Sequence, residues 1–468
     1  MPVLPVVLWT DALLFVLVVL VGLVVWQVRR HEHLRAPWRK VAMSRTGMAA
    51  GTLLAVFALI GLMDSLHFRT KLDAPDSTAQ TSTQYAVELH SVLDVLLGGL
   101  PTRVETTYSA PLAAQSFAKE AQEGGLREFP RLQYGAAHLN DPERELAGDV
   151  AYRALAGGAS GGALFLLTLL AISLLRDVRR PVAGMRRLLV GNGTDAWHWV
   201  PLTLLVLAVL AGALAGLASH YHVFGTDKVG QDVLYQVLKS IRTALVIGTL
   251  TTLVTLPIGV ALGIAAGYFR GWVDDVIQYL YTTLNSIPGV LLIAAAVLMT
   301  QVYMDTHPES FETVSERADF RLLFLCLILG ITSWTGLARL LRGETLKLRE
   351  LEYVQAAQAF GVSNLAILGR HILPNLMHII LISMVMDFSG LVLAEAVLSY
   401  VGVGVDPSMF SFGTMINSAR LEMAREPMVW WALAAAFVVM FALVLAANLF
   451  ADAVRDALDP RTRIRRVS

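Results

Sequence analysis

Long apolar runs alternate with short polar stretches along most of the 468 residues. A helix rises about 1.5 Å per residue and a bilayer's hydrocarbon layer is about 30 Å thick, so apolar runs of roughly 17 to 25 residues predict membrane-spanning helices. Such runs fall near residues 8–28, 47–64, 156–175, 198–219, 240–268, 276–302, 321–340, 376–398 and 429–451. The pattern predicts an all-α polytopic membrane protein of about nine helices with one polar insertion. It divides into two N-terminal helices (1–64), the insertion (65–155), a third helix with a basic loop (156–197) and a six-helix core (198–462) that carries a polar loop at 341–375.

The position of charge sets the orientation. Lys and Arg flanking spans stay on the cytoplasmic side. Residues 29–46 hold six of them, and residues 176–195, 339–370 and the tail after Asp452 hold five each, whereas 302–319 carries Asp305, Glu309, Glu312, Glu316 and Asp319 against Arg317 alone. The basic segments are therefore expected inside, the acidic loop, the N-terminus and the insertion outside. The first run, Pro2 to Val28, has Asp11 as its only charge and ends in Trp26 and Arg29-Arg30 rather than a small-residue cleavage site, so it is expected to be a retained helix. Within the insertion, Val87, Leu89, Val92, Leu93 and Leu96 have helical spacing, and Pro, Gly and acidic residues recur from Thr102 to Asp149; a small mixed or helical domain is expected, serving as spacer, docking surface or ligand-binding unit.

Apolar residues make up 55% and charged residues 16% of the chain, and the mean hydropathy of +0.59 excludes an ordinary soluble globule. Net charge is zero, so no basic excess points to nucleic acid. Cys326, the single cysteine, lies in an apolar run and can form no intrachain disulfide. The sequence contains no G-x-x-x-x-G-K-[ST] loop or H-E-x-x-H helix. Neither ATP hydrolysis nor a bound metal or cofactor is expected of this chain.

The polar stretch Arg349 to Asn375 reads RELEYVQAAQAFGVSNLAILGRHILPN. Glu350 to Phe360 are mostly good helix formers, Gly361 suits the left-handed residue that ends a helix, Ser363 suits an N-cap, and Leu373-Pro374 leads into the next span. This is a helix, turn, helix finger on the cytoplasmic side, either a firm surface for a partner or an ordinary connection.

The same stretch resembles the EAA loop of ATP-binding-cassette (ABC) importer permeases through Ala356-Ala357, Gly361 and Leu373-Pro374. In that family the loop is the coupling helix, seated in a groove of the ATPase subunit. The resemblance assigns ATPase coupling to Gln355, Ala356, Ala357, Gly361, Ser363, Asn364, Arg370, His371, Leu373 and Pro374. Gln355 replaces the usual acid, and His371, in place of a common aliphatic residue, is read as packing. Four further motifs are similar to the dipeptide/oligopeptide/nickel branch of these permeases: FGTDKVGQDVL at 224–234, with Gln231 where arginine is common, GYFRGWVDD at 267–275, LAEAVLSYVGVGV at 393–405 and FADAVRDALDPR at 450–461. Membership implies a type I importer core in residues 198–462 of a bacterial inner-membrane protein, working by alternating access. It also implies a second homologous permease subunit, two cytoplasmic subunits that bind ATP and Mg, and an extracytoplasmic solute-binding protein. Relatives carry di- and oligopeptides, nickel chelates, peptide-like antibiotics and some sugars.

Inside the spans, Gly259, Gly263 and Gly267 recur every fourth residue on one helix face and predict close helix packing. Pro257 and Pro288 predict bends. Asp387 and Glu395, eight residues apart, are expected either to line a wet pathway or to pair with a neighbouring helix. Two other classes compete: an ion-coupled secondary transporter using these two acids, which inverted repeats would support, and a membrane-anchored sensor or assembly protein using residues 65–155.

Overall fold

The protein is described here by a computed structural model covering residues 3–71, 85–121, 127–176, 181–190, 196–311 and 313–458. The N-terminal part contains β1 (Val3–Val6), α1 (Trp9–Arg30), α2 (Glu32–Val41), α3 (Arg45–Asp64), β2 (His67–Thr70), β3 (His90–Ser91), α4 (Val92–Leu96), β4 (Glu120–Ala121) and β5 (Arg127–Glu128). Next come α5 (Pro142–Arg176), α6 (Pro181–Val190), α7 (Trp199–Ala218), α8 (Val233–Phe269), α9 (Gly271–Ser286), α10 (Gly289–Thr306) and α11 (Val314–Ser333). The C-terminal part holds α12 (Thr335–Arg349), α13 (Glu352–Ala359), α14 (Asn364–Ile367), α15 (Leu373–Tyr400), α16 (Phe412–Glu422) and α17 (Trp431–Leu458). Among the described residues, nine helical stretches are long and apolar enough to cross a bilayer.

Three expectations change. The run 276–302 is two helices: Ile287, preceding Pro288, is driven to extended backbone (φ −91°, ψ 129°), which ends α9. Pro288 O then accepts from Leu291 N (2.9 Å) and Leu292 N (3.2 Å) to start α10, and of the two only α10 is long and apolar enough to span. The helix expected over 156–175 begins at Pro142, whose missing N–H suits a first turn, with Glu143 and Glu145 beside the helix N-terminus. The helical spacing from Tyr85 to Leu100 yields only Val92–Leu96, because Ser91 and Asp94 close a capping box at Ser91 while the residues before it pair as strand. Pro257, in contrast, lies inside a continuous α8.

The fold contains two compact units. The first joins residues 3–7, 38–243 and 410–450. Its small antiparallel sheet has the order β1-β2-β3, with Val3 opposite Thr70 and His67 opposite Ser91; β4 and β5 form a separate two-stranded antiparallel sheet. The insertion has its own apolar centre: Leu100, Ala114, Ala136 and Leu139 pack with Leu217, Tyr221, Val223 and Leu234. Against α7, α5 presents Gly157 and Gly161, and α7 presents Gly212 and Gly216. A Cβ on Gly157 would strike Gly212 O, one on Gly161 would strike Ala208 O, and one on Gly216 would lie 2.8 Å from Arg153 O. Only glycine lets these two backbones approach so closely.

The second unit joins residues 8–37, 244–409 and 451–458. Its core contains Val246, Ile247, Leu250, Leu322, Leu325, Cys326, Leu329 and Leu398. The N-terminal turn of α1 is held by Asp319 of α11, which accepts from Thr10 N at 3.0 Å and from the Thr10 hydroxyl. A second cluster, with Ile264, Leu341, Val354, Ile367, Ile372 and Leu376, lies at the base of the finger.

Candidate functional site

The finger starts where α12 gives way to α13. Gly361 has φ +70°, and two hydrogen bonds close the turn: Val362 N to Ala357 O (3.1 Å) and Gly361 N to Gln358 O (3.0 Å). This is the glycine-terminated helix end expected from sequence. Ser363 occupies the N-cap position of α14, but its side chain makes no capping bond. Leu368–Ile372 then form a wide π-helical turn leading into α15, where Pro374 stands in the first turn.

Val354, Ile367 and Ile372 are fully buried and pin the finger to α8 and α12. Polar contacts reinforce this base. Tyr268 OH donates to Asn364 Oδ1 (2.9 Å) and accepts from Gln358 Nε2 (3.3 Å), Arg349 Nη1 donates to Tyr268 O (2.8 Å), and Arg270 pairs with Glu350. Gln355 is exposed and turns back along the finger, its Nε2 donating to Glu350 O (3.2 Å). Ala356 is exposed and Ala357 half-buried; Arg370 is exposed, while Leu373 is half-buried and joins the apolar base. His371 is half-buried against the Tyr353 ring, with centroids 5.9 Å apart, and its carbonyl accepts from Asn375 Nδ2 (2.6 Å). The tip is apolar and bare: Phe360 is 86% and Leu365 81% exposed. A rigid base with a greasy tip is suited to docking in a partner's groove.

Gly259, Gly263 and Gly267 face α12. A Cβ on Gly263 would lie 2.7 Å from Ala338 O, one on Gly267 2.8 Å from Arg342 O, and one on Gly259 3.0 Å from Leu337 Cδ2. Near the start of α9, Arg342 grips Asp274 with two bonds of 2.6 Å, which hold the Asp274 carboxyl below its ordinary range.

The two intramembrane acids have different surroundings. Glu395 is 1% exposed and accepts from Ser399 Oγ at 2.7 Å. Asp387 is half-buried, and among the described residues nothing donates to its carboxylate or pairs with it.

A polar cluster that the sequence reading missed binds the insertion to the FGTDKVGQDVL motif at 224–234. His222 is 2% exposed between two acids, Nδ1 lying 2.8 Å from Asp232 Oδ2 and Nε2 lying 3.3 Å from Glu105 Oε1. Glu105 also accepts from the backbone N–H groups of Gln133 (2.9 Å), Tyr134 (2.8 Å) and Gly135 (3.3 Å). Burial alone would raise the Glu105 pKa, but the His222 bond and these three donors bring it down to about 2. Burial opposes charge on His222 as well, yet the two carboxylates raise its pKa to about 9. Gly230 (φ +80°) lies directly under the Glu105 backbone, where a Cβ would strike Glu105 O. Nearby, Lys239 Nζ donates to Asp64 Oδ1 (2.7 Å) and pairs with Asp94 Oδ1 (3.0 Å), and Tyr108 OH donates to Glu422 Oε1 (3.0 Å). The missed signal was His222, ten residues before Asp232 and just ahead of the motif at 224–234; Glu105 has no local signature.

The helical architecture and the finger define a multi-pass inner-membrane permease component. The family described as "Binding-protein-dependent transport system inner membrane component" matches residues 259–464. The chain is 34% identical over 247 residues to the glutathione transport system permease protein GsiD of Pectobacterium atrosepticum, covering 52% of this chain and 74% of that protein. It is 32% identical over 242 residues to the oligopeptide transport system permease protein OppC of Mycobacterium tuberculosis (52% and 77%), and 28% identical over 242 residues to the dipeptide transport system permease protein DppC of Bacillus subtilis (52% and 69%). A chain from an inward-facing structure of the MetNI methionine ABC transporter overlaps 48% of this chain and 98% of its own length with TM-score 0.37 and 15% identity. The chain belongs to the ABC-importer permeases of the dipeptide/oligopeptide/nickel family.

Proposed function

We propose that this permease forms half of the translocation pathway of an ATP-driven importer for di- and oligopeptides or peptide-like solutes. It pairs with a second, homologous permease subunit, rests on two ATPase subunits that bind ATP and Mg, and receives solute from an extracytoplasmic binding protein. The N-terminus and residues 65–155 lie outside, and the C-terminus lies in the cytoplasm. ATP binding closes the ATPases and displaces the finger around Ala356 to Pro374; because α15 continues from the finger as one helix, the displacement reaches the membrane core and drives alternating access.

The observation that carries this reading is the finger itself, with an exposed apolar tip at Phe360 and Leu365 on a base of fully buried Val354, Ile367 and Ile372. The peptide substrates in the names of the relatives support the solute class.

The test is peptide uptake into vesicles holding the full complex, with Gly361→Pro as the perturbation. Proline holds φ near −65° and has no N–H, so it fits neither the φ of +70° nor the bond to Gln358 O. ATP-dependent uptake is expected in the native complex and its loss in the variant with the permease still in the membrane. Uptake indifferent to ATP and to the substitution refutes the proposal.

A further inference from the structure

We infer that Asp387 contacts the solute's protonated amine inside the pathway, which makes this permease selective for peptides with an unmodified N-terminus; the inference rests on the peptide-importer reading above. The first ground is depth. The 28 residues of α15 run from Leu373 at the finger to Tyr400, and Asp387 is fourteen residues from the start, about 21 Å along the axis. That is the middle of a membrane-spanning helix, where an ionised carboxylate facing lipid is costly. The carboxylate therefore faces a wet pathway or a cation.

The second ground is what surrounds it. Phe388 occupies the notch over Gly248 of α8, which fixes the rotation of α15. Met386, Gly390, Leu393 and Val397 then form an exposed stripe with Asp387 at its margin. At Gly390, one turn on from Asp387, a Cβ would meet nothing within 4 Å. Met384, one turn before Asp387, and Met386, beside it in the chain, are both exposed and flank it on opposite sides. Thioether side chains adapt to differently shaped partners. A single fixed anion with open space and compliant apolar walls suits a ligand class that keeps one ammonium group while its side chains vary. Glu395 offers no such site, since it is buried and bonded to Ser399.

The test compares ATP-dependent uptake of a mixed tripeptide pool and of the same pool after N-acetylation, in vesicles holding the full complex. The native permease is expected to favour the unmodified pool about tenfold or more, as a charge-assisted bond to an ammonium predicts. Asp387→Asn, close in shape, is expected to lower uptake of the unmodified pool to the acetylated level while leaving acetylated uptake and complex yield unchanged; Asp387→Glu is expected to restore most of the preference. Native peptide uptake whose preference survives Asp387→Asn overturns the inference and leaves the importer reading standing. An equal fall for both pools, or loss of complex, also overturns it, by showing Asp387 to be a contact between subunits. No ATP-dependent uptake of either pool by the native complex overturns both readings.

Discussion

Replacing Glu105 by glutamine tests whether the insertion is clamped to the segment 222–232 by charge. One carboxylate oxygen accepts from Tyr134 N, Gly135 N and His222 Nε2, and the other accepts from Gln133 N. Whichever way the glutamine amide turns, its NH₂ opposes at least one backbone N–H. An unmatched buried donor costs about 1–3 kcal/mol. The rise of His222 from 6.5 to about 9 corresponds to about 3 kcal/mol of preference for the charged ring, supplied jointly by Asp232 and Glu105. The expected penalty is therefore about 3 kcal/mol, or about a hundredfold in the local opening equilibrium. Hydrogen exchange of the amides in residues 130–140, read by mass spectrometry and corrected for the intrinsic pH dependence of exchange, reports it directly.

The pH dependence has a definite sign. His222 has a raised pKa, so its contribution is full below 6.5 and is lost as pH climbs toward about 9. Glu105 has a lowered pKa, so its contribution is full above 4.5 and is lost as pH falls toward about 2. Native protection should be greatest between about pH 4.5 and 6.5, and the gap between native and Glu105→Gln should narrow as pH rises through 9. An equal gap at pH 6 and pH 10, or no loss of protection in the variant, would refute the clamp.

Two further outcomes follow from packing and charge. Gly263→Ala should lower the melting point of the purified permease and cost about 1–3 kcal/mol, because its Cβ meets backbone at Ala338. Gly259→Ala should cost less than Gly263→Ala, because its Cβ meets the Leu337 side chain at 3.0–3.3 Å rather than backbone and alanine favours helix; equal effects at the two sites would contradict the seam geometry. Lys239→Met should remove the cation beside Asp64 and Asp94, both buried, leaving Asp94 its bonds from Ser91 N and Tyr235 OH, at a cost of about 3 kcal/mol, and speed proteolysis within the insertion; unchanged proteolysis would show that the pairs do not hold it.

Features written in local spacing were legible from sequence. The finger announced itself through the run ending at Gly361 and the Leu373-Pro374 step, and the spans through uninterrupted apolar length. The division of 276–302 was half legible: Pro288 was visible, but whether its helix would bend or stop depended on Ile287 turning extended, and Pro257 illustrates the other result inside α8. The clamp was not legible, since Glu105 and His222 are 117 residues apart and only tertiary folding brings them together. Spacing alone also left Asp387 and Glu395 equivalent; burial separates them, because one is covered and bonded while the other stands beside an exposed stripe.

The glycine contacts between α5 and α7 bear on how such a protein is built in the membrane. A surface of α7 that would otherwise be open to another chain is already filled, backbone to backbone, by an earlier segment of the same polypeptide. In valence terms α7 has one bond satisfied internally before any subunit arrives. A version of the chain begun after α6 would present that groove, lined by Gly212 and Gly216, to whatever small-residue helix lay nearest in the bilayer. In the folded chain α5 fills that groove, so the glycine face of α7 is closed to any other helix.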